Sequence, residues 1–421
     1  MLGLGSAALV LLAAVAGPAE AAKPQTGNWA QFRGADGEGR SDATDIPAEF
    51  GPKKNVVWST PIHGKGWSSP VVWGNQIWMT TAPEDGTKLY AVCVDFKTGK
   101  VIHNKLVFDN PDPRFCHPTN SYASCTPAVE EGRVYVHFGS YGTACLDAET
   151  AETLWERRDF KCDDFRGPAS SPILSGNLLF LNFDGVDEQY VAALNKNTGE
   201  TVWKQDRTID YGTDNGDRKK AYGTPALIEA DGRQELISPA AVETIAYAPE
   251  TGKELWRVQI PVLEANDPQL YGHGMLYIAA GSGPQSLIAV RPGGSGDVTD
   301  SRIIWNTGKA VPKRASQILL DDLLFMVSDG GVASCLEAKT GELVWQQRLP
   351  GEYWASPLYA DGKIFFFSKE GKVPVVAASR EFQLLSTNTF DEGFNASPAV
   401  TENSLLLRTR NHLYRIAAEG N

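Results

Sequence analysis

The chain has 421 residues, with 51 acidic and 39 basic side chains and a formal net charge of −12. That balance disfavours nucleic acid, whose phosphates demand basic patches, and the one basic run, Arg218-Lys219-Lys220, reads as a solvated loop. Six cysteines are spread along the chain with no adjacent pair.

Leu2 to Val15 is apolar and runs into Pro18-Ala19-Glu20-Ala21-Ala22. An apolar core ahead of a small–x–small site reads as a secretory signal peptide over residues 1–22, too short to span a bilayer. No Lys or Arg precedes it, which leaves the true start codon open, and the alternative is an apolar N-terminus of a cytosolic protein. No cysteine stands at the cleavage site, so a periplasmic or secreted protein is expected rather than a lipoprotein. Residues 23–54 read as an N-terminal strap.

From Asn55 onward a phrase recurs every roughly 40 to 53 residues: small–x–acid–x–x–Thr–Gly–x–x–x–Trp. Its cleanest copies end at Trp203 and Trp345, and Thr251-Gly252 leads to Trp256. Thr98-Gly99 leads to His103 in the Trp position, and Thr150-Ala151 leads to Trp155. Trp58 opens the series with no Thr-Gly before it. The tract Arg291 to Trp305 is a swollen copy, and Phe382-Gln383-Leu384-Leu385 places Leu385 in the Trp position. A repeat of this length marks a propeller or solenoid, because one unit cannot bury its own apolar face.

A second signature alternates with the first: a small pair, then Pro. It reads Ser68-Ser69-Pro70, Cys125-Thr126-Pro127, Ser170-Ser171-Pro172, Gly223-Thr224-Pro225, Ser356-Pro357 and Ser397-Pro398. Ala315-Ser316-Gln317 lacks the Pro, and Tyr271-Gly272-His273 is the weakest member. Short apolar runs bounded by Asn, Asp and Gly turns fill the intervals, which are hairpin signals. The expectation is all-β: an eight-bladed β-propeller over residues 55–417, built from four-stranded antiparallel blades. The small pair opens each innermost strand and the Trp stands on the outermost. The strand from Asn55 to Ile62 completes the last blade and closes the ring.

Within the repeat, Gly supplies the positive φ of a tight turn, and the acid three residues before Thr accepts from the turn. Cys93, Cys145 and Cys335 fill the small position five residues before Thr, which points to packing rather than chemistry. Cys116, Cys125 and Cys162 lie around the second blade; a Cys145–Cys162 or Cys116–Cys125 bridge stands against free buried thiols.

Residues just before each small pair should ring one mouth of the channel. They give a candidate ligand site of Trp67, Tyr122, Arg166, Tyr222, His273, Arg314, Trp354 and Asn395, with His117, Asn120 and Asp217 nearby. Aromatics and arginines facing one funnel suit a sugar, an aromatic acid or a peptide. The competing reading is that these aromatics cap the crowded axis and bury one another. The acid-rich stretch Asp210 to Asp217 lacks calcium-loop spacing, and the histidines lack metal spacing, so no metal site is expected. No catalytic constellation stands out.

The Thr-Gly-x-x-x-Trp repeat resembles the pyrroloquinoline quinone (PQQ) type propeller repeat over residues 55 to 417. The opening Asn28-Trp29-Ala30-Gln31-Phe32-Arg33-Gly34 and Gly66-Trp67-Ser68-Ser69-Pro70 resemble secreted bacterial PQQ-binding-like repeat proteins. One branch of that family, the quinoprotein dehydrogenases, implies PQQ and calcium in the funnel and a quinone stacked on an adjacent-cysteine disulfide. The other is the propeller scaffold of the outer-membrane β-barrel assembly machinery. Lacking a Cys-Cys pair, this chain is closer to the scaffold. The resemblance therefore implies an exported, monomeric, non-enzymatic interaction protein with a protein or envelope partner and no cofactor. The alternative is a funnel-site binding protein or enzyme using PQQ or a sugar-like ligand.

Overall fold

Eight β-sheets follow one another along the chain in a computed structural model that describes residues 27–260, 269–281 and 285–419. Blades 1 to 7 each run from an innermost to an outermost strand in sequence order; in blade 1 these are Val71–Trp73, Gln76–Thr81, Lys88–Asp95 and Val101–Asp109. Seven sheets have four strands, so the chain is the expected eight-bladed propeller. The exception is blade 4. There the swollen tract contributes Gly296–Asp297, which pairs parallel with the outermost strand Glu254–Gln259 as a fifth strand. The ring closes with Val56–Pro61 antiparallel to the last strand, His412–Ile416. The signal-peptide reading of residues 1–22 lies outside the described residues.

The repeated tryptophans fasten each blade to the next. Trp58, Trp155, Trp203, Trp305 and Trp345 each donate an indole Nε1–H to a carbonyl of the following blade: Phe96, Lys196, Pro249, Ala338 and Ser379, at 2.7–3.0 Å. The Thr-Gly glycines explain themselves here. Gly99, Gly199, Gly252 and Gly341 have φ of +70° to +74°, and a Cβ on each would collide with the preceding blade's indole. Glycine thus serves twice, for a left-handed turn and for the approach of the ring. Two of the three acids do as expected. Asp147 Oδ1 accepts from Thr150 N, and Asp95 Oδ1 accepts from Thr98 N and Thr98 Oγ1, both at 2.7 Å. The Thr98 bonds, the hydroxyl's foremost, hold the Asp95 carboxyl below the usual range, whereas the Glu337 carboxylate pairs with Arg380 instead. Trp256 differs because no Thr-Gly turn follows it in blade 5. Its Nε1 turns to Glu235 Oε2 at 2.8 Å, and the indole is fully buried.

At the axis, the small pairs form a chain of hydrogen bonds that steric crowding alone does not explain. Ser69 N donates to Thr126 Oγ1, Thr126 N to Ser171 Oγ, and Ser171 N to Thr224 Oγ1, at 2.9–3.0 Å. On the other side Ser316 N donates to Ser356 Oγ and Ser356 N to Ser397 Oγ. Ser397 N then donates to Ser69 Oγ at 3.1 Å, carrying the chain across the closure. Serine and threonine recur because each unpaired inner-strand amide needs an acceptor from its neighbour.

Three sequence expectations need correcting. Ser386, not Leu385, holds the Trp register in blade 7. It lies opposite Val375, as Trp345 lies opposite Cys335, and it donates to Ala48 O in place of an indole bond. Tyr271-Gly272-His273 does not open an innermost strand. That strand is Leu270–Gly272, so Gln269 takes the Pro position, as Gln317 does before Ile318, and His273 falls in the hairpin at the strand's far end. Neither proposed disulfide forms: all six thiols are free, and Cys93, Cys145 and Cys335 pack in the core.

Residues 27–54 enter the channel from the end opposite the small pairs. Trp29 exchanges backbone hydrogen bonds with Val72, Ala30 O accepts from Val129 N, and Gly39 and Ser41 pair with Tyr359. The buried Arg33 guanidinium donates to the carbonyls of Gly37, Glu38, Gln317 and Pro357, so it bridges the strap to blades 6 and 7.

Candidate funnel site

The small-pair end of the channel opens into a cavity of about 310 Å³. Its floor is the hydroxyl chain just described, through Thr126, Ser171, Thr224, Ser356 and Ser397, and Phe32 of the strap reaches it from below. Six of the eight predicted residues line it: Trp67, Arg166, Tyr222, Arg314, Trp354 and Asn395. They come from six different inter-blade connections, so only ring closure brings them together. His117 and Asn120 also line it. Tyr122 and His273 do not. The Tyr122 ring is buried against Tyr141 at 5.8 Å and its hydroxyl donates to Arg114 O at 2.6 Å. His273 sits at the opposite face, within 2.7 Å of Asp321 O.

Each rim residue is held by its own loop and by the neighbouring blade. Trp67 Nε1 donates to Thr119 O at 3.2 Å, and Trp67 N to Ala123 O at 3.0 Å. Behind it, the buried Arg408 guanidinium of blade 8 donates to Ser68 O, Ser68 Oγ and Thr80 O at 2.7–2.9 Å. A Cβ at Gly66 would stand 2.4 Å from Arg408 Nη2, which is why the Gly precedes the rim Trp. Burial without a carboxylate partner lowers the Arg408 pKa to about 9. Asn120 Nδ2 ties the connection after blade 1 to the next through Arg166 O and Pro168 O.

Three carboxylates near the rim, Asp217, Asp329 and Glu352, are committed to cations. Arg166 Nη2 reaches Asp217 Oδ2 at 2.8 Å and Lys220 Nζ reaches Asp217 Oδ1 at 2.6 Å, so Asp217 titrates below the usual range, the Lys220 bond being the main cause. Arg314 pairs with Asp329, and Lys369 Nζ with Glu352 Oε2 at 2.8 Å. Trp354 carries both cations: Arg314 Cζ lies 4.2 Å and Lys369 Nζ 4.0 Å from its ring. The aromatics therefore do not bury one another at the axis; they hold positive charge at the rim.

Several contributors were not singled out from sequence. The small pairs predict a crowded axis and not a polar floor, although their preference for Ser and Thr over Ala carries that signal. Phe32, Lys313 and Lys369 belong to connections whose approach depends on the fold, and nothing local marks them.

A calcium-bound quinone would need several oxygen ligands converging at the funnel. Among the described residues no three His, Cys, Asp or Glu side chains converge as a metal site, and Asp217 and Asp329 are each engaged by arginine. No step through such a group follows from this funnel.

Residues 246–420 match the PQQ_2 family, described as outer membrane protein assembly factor BamB. The chain is 24% identical over 244 residues to the outer membrane protein assembly factor BamB of Shewanella oneidensis, covering 54% of this chain and 57% of that protein. It is also 29% identical over 155 residues to a quinoprotein ethanol dehydrogenase of Pseudomonas aeruginosa, covering 34% of this chain and 24% of that one. The matched stretches thus span 57% and 24% of these relatives' own lengths. Among solved structures, a europium-containing methanol dehydrogenase superposes with a TM-score of 0.72 at 12% identity, over 93% of this chain and 98% of its own. BamB of Moraxella catarrhalis superposes with a TM-score of 0.59 at 14% identity, over 86% and 99%. At such identities the likeness speaks to fold alone. No helix among the described residues is long and apolar enough to cross a membrane. Repeat and ring make this chain an eight-bladed β-propeller, and its sequence is similar in part both to BamB and to the quinoprotein dehydrogenases.

Proposed function

We propose that this chain is an exported, non-enzymatic interaction scaffold whose funnel mouth receives a protein partner in the cell envelope. The observation that carries the reading is the funnel. The carboxylates beside its arginines, Asp217 and Asp329, are spent on ion pairs, and the channel behind it is occupied by Phe32 and Arg33. Such a basin docks a surface; it does not pass a substrate or assemble a metal. Similarity to an outer-membrane assembly factor supports the same role. Residues 1–22 direct export, and the mature protein is a monomer.

Photo-crosslinking residues placed at Trp354 and at His273 in living cells test this. Funnel-side crosslinks to an outer-membrane assembly component, with none from the far face, are expected. N-terminal sequencing of periplasmic protein should begin near Lys23, and light scattering should return one chain per particle. The second reading, a funnel enzyme or binding protein using PQQ or a sugar-like ligand, is favoured by the similarity to quinoprotein dehydrogenases. Adding PQQ with Ca²⁺ should leave the quinone spectrum unchanged. Saturable spectral change with alcohol-driven dye reduction would overturn the scaffold reading, as would a stabilising hit in a carbohydrate panel.

A further inference from the structure

The funnel mouth has two further features. The first is charge. The chain carries a net −12, yet no Asp or Glu stands among the described residues that line the funnel, while Arg166, Lys313 and Arg314 do. Asp217 and Asp329 hold two of these cations from outside the lining, so the cavity wall itself presents positive groups and no carboxylate, which favours an anionic visitor.

The second is an exposed aromatic pair. Phe115 and Phe165 are 54% and 43% exposed, and their rings lie 5.5 Å apart across two successive connections. The other exposed large apolar side chains among the described residues all lie on outermost strands, at the propeller's waist. Only this pair stands beside the funnel, Phe115 two residues before the lining residue His117 and Phe165 directly before the lining residue Arg166. Two phenylalanines held together in water on separate loops gain from being covered.

Resting on the scaffold reading above, we propose that the funnel receives an extended acidic segment of the protein partner. An apolar side chain of that segment covers Phe115 and Phe165. The carboxylates that follow it run inward to Arg166, Lys313 and Arg314, and its backbone finds the amide of Asn395 and the hydroxyl floor. Positive charge at the rim then sets the on-rate and the choice of partner, and the aromatic pair sets the register.

Fluorescence anisotropy on the purified full chain tests this, with a short labelled peptide of one phenylalanine followed by a run of aspartates. The probe's lysine counterpart and free citrate are the comparison ligands. The acidic peptide should bind saturably and weaken with added salt. R314E or K369E should cost about tenfold in affinity, about 1.4 kcal/mol by the affinity relation, and the double change F115A with F165A a similar factor. H273A, at the far face, should change nothing. Equal binding of acidic and basic peptides overturns the proposal, as does indifference to R314E and K369E in variants of unchanged melting temperature. Binding of citrate but not peptide overturns it too, in favour of a small-anion site. If Trp354 crosslinks to a partner in cells while acidic peptides fail, the scaffold stands and only the acidic-segment inference falls.

Discussion

Alanine at Gly252 should destabilise the protein more than alanine at Gly132, and the difference measures the tryptophan dock. Both glycines are left-handed, with φ of +70° and +73°. A non-glycine residue in that region costs about 1–2 kcal/mol. At Gly132 nothing lies within 4 Å of the added Cβ, so that backbone cost stands alone. At Gly252 the Cβ would stand 2.5 Å from Trp203 Cε3 and 2.6 Å from Cδ2. The indole has little room to retreat: it is 9% exposed and its Nε1 donates to Pro249 O at 2.7 Å. Overpacking of that kind adds about 1–3 kcal/mol. Trp203→Ala alone should cost roughly 3–5 kcal/mol, the range for truncating a large buried aromatic. In that background Gly252→Ala should fall back to the cost at Gly132, giving a coupling of about 1–3 kcal/mol in the double-mutant cycle. Urea unfolding followed by circular dichroism, at constant slope, reads all four states. If Gly252→Ala and Gly132→Ala agree within about 0.5 kcal/mol and the cycle is additive, the dock is not a packed contact. A loss below about 1 kcal/mol for Trp203→Ala would make the repeat tryptophans surface features and end the blade-to-blade account.

Trp256→Ala should also cost roughly 3–5 kcal/mol, and Trp256→Phe should still lose about 1–3 kcal/mol because buried Glu235 forfeits its indole donor; a neutral Phe variant in the same urea assay would refute this. Deleting residues 55–62 removes the closing strand and the Trp58 bond to Phe96 O, so the melting temperature of the whole ring should fall, and an unchanged value would sink the closure argument. Burial against Phe183 lowers the His137 pKa to about 3, so the unfolded chain binds this proton first as pH drops. Stability from His137 is complete above about pH 6.5 and is lost progressively toward pH 3; His137→Gln should flatten the urea midpoint against pH between those limits, and an identical profile would refute it. All six thiols should titrate with Ellman's reagent after denaturation, and burial keeps the native ones protonated and slow; two missing equivalents would reveal a disulfide.

Much of the ring was legible in the sequence because the repeat carries its own structural reasons. The Thr-Gly turn, the acid that accepts from it and the Trp each act within one blade or on the next, so spacing alone located them. The same logic failed where the local pattern was weak. Leu385 and Ser386 are neighbours, and only pairing with Val375 shows which one holds the Trp register. At Tyr271-Gly272-His273 a glycine between aromatics looked like a strand entry, whereas the Gln in the Pro position, shared with Gln317, was the better marker. That slip carried His273 to the wrong mouth. Tyr122 was misplaced for a different reason: its position before the small pair was read correctly, but its ring turns back onto Tyr141.

From the amino-acid order alone came the all-β class, eight units, the closing strand at Trp58 and six of the funnel-lining residues, because each depends on contacts between a residue and its repeat-related neighbours. Tertiary structure decided what the funnel is. Whether the channel is open depended on a strap, Phe32 and Arg33, that has no repeat counterpart. Whether the rim aromatics face a ligand or one another depended on where Arg314 and Lys369 meet Trp354. Those residues lie on different connections, and only closing the ring sets the distances between them.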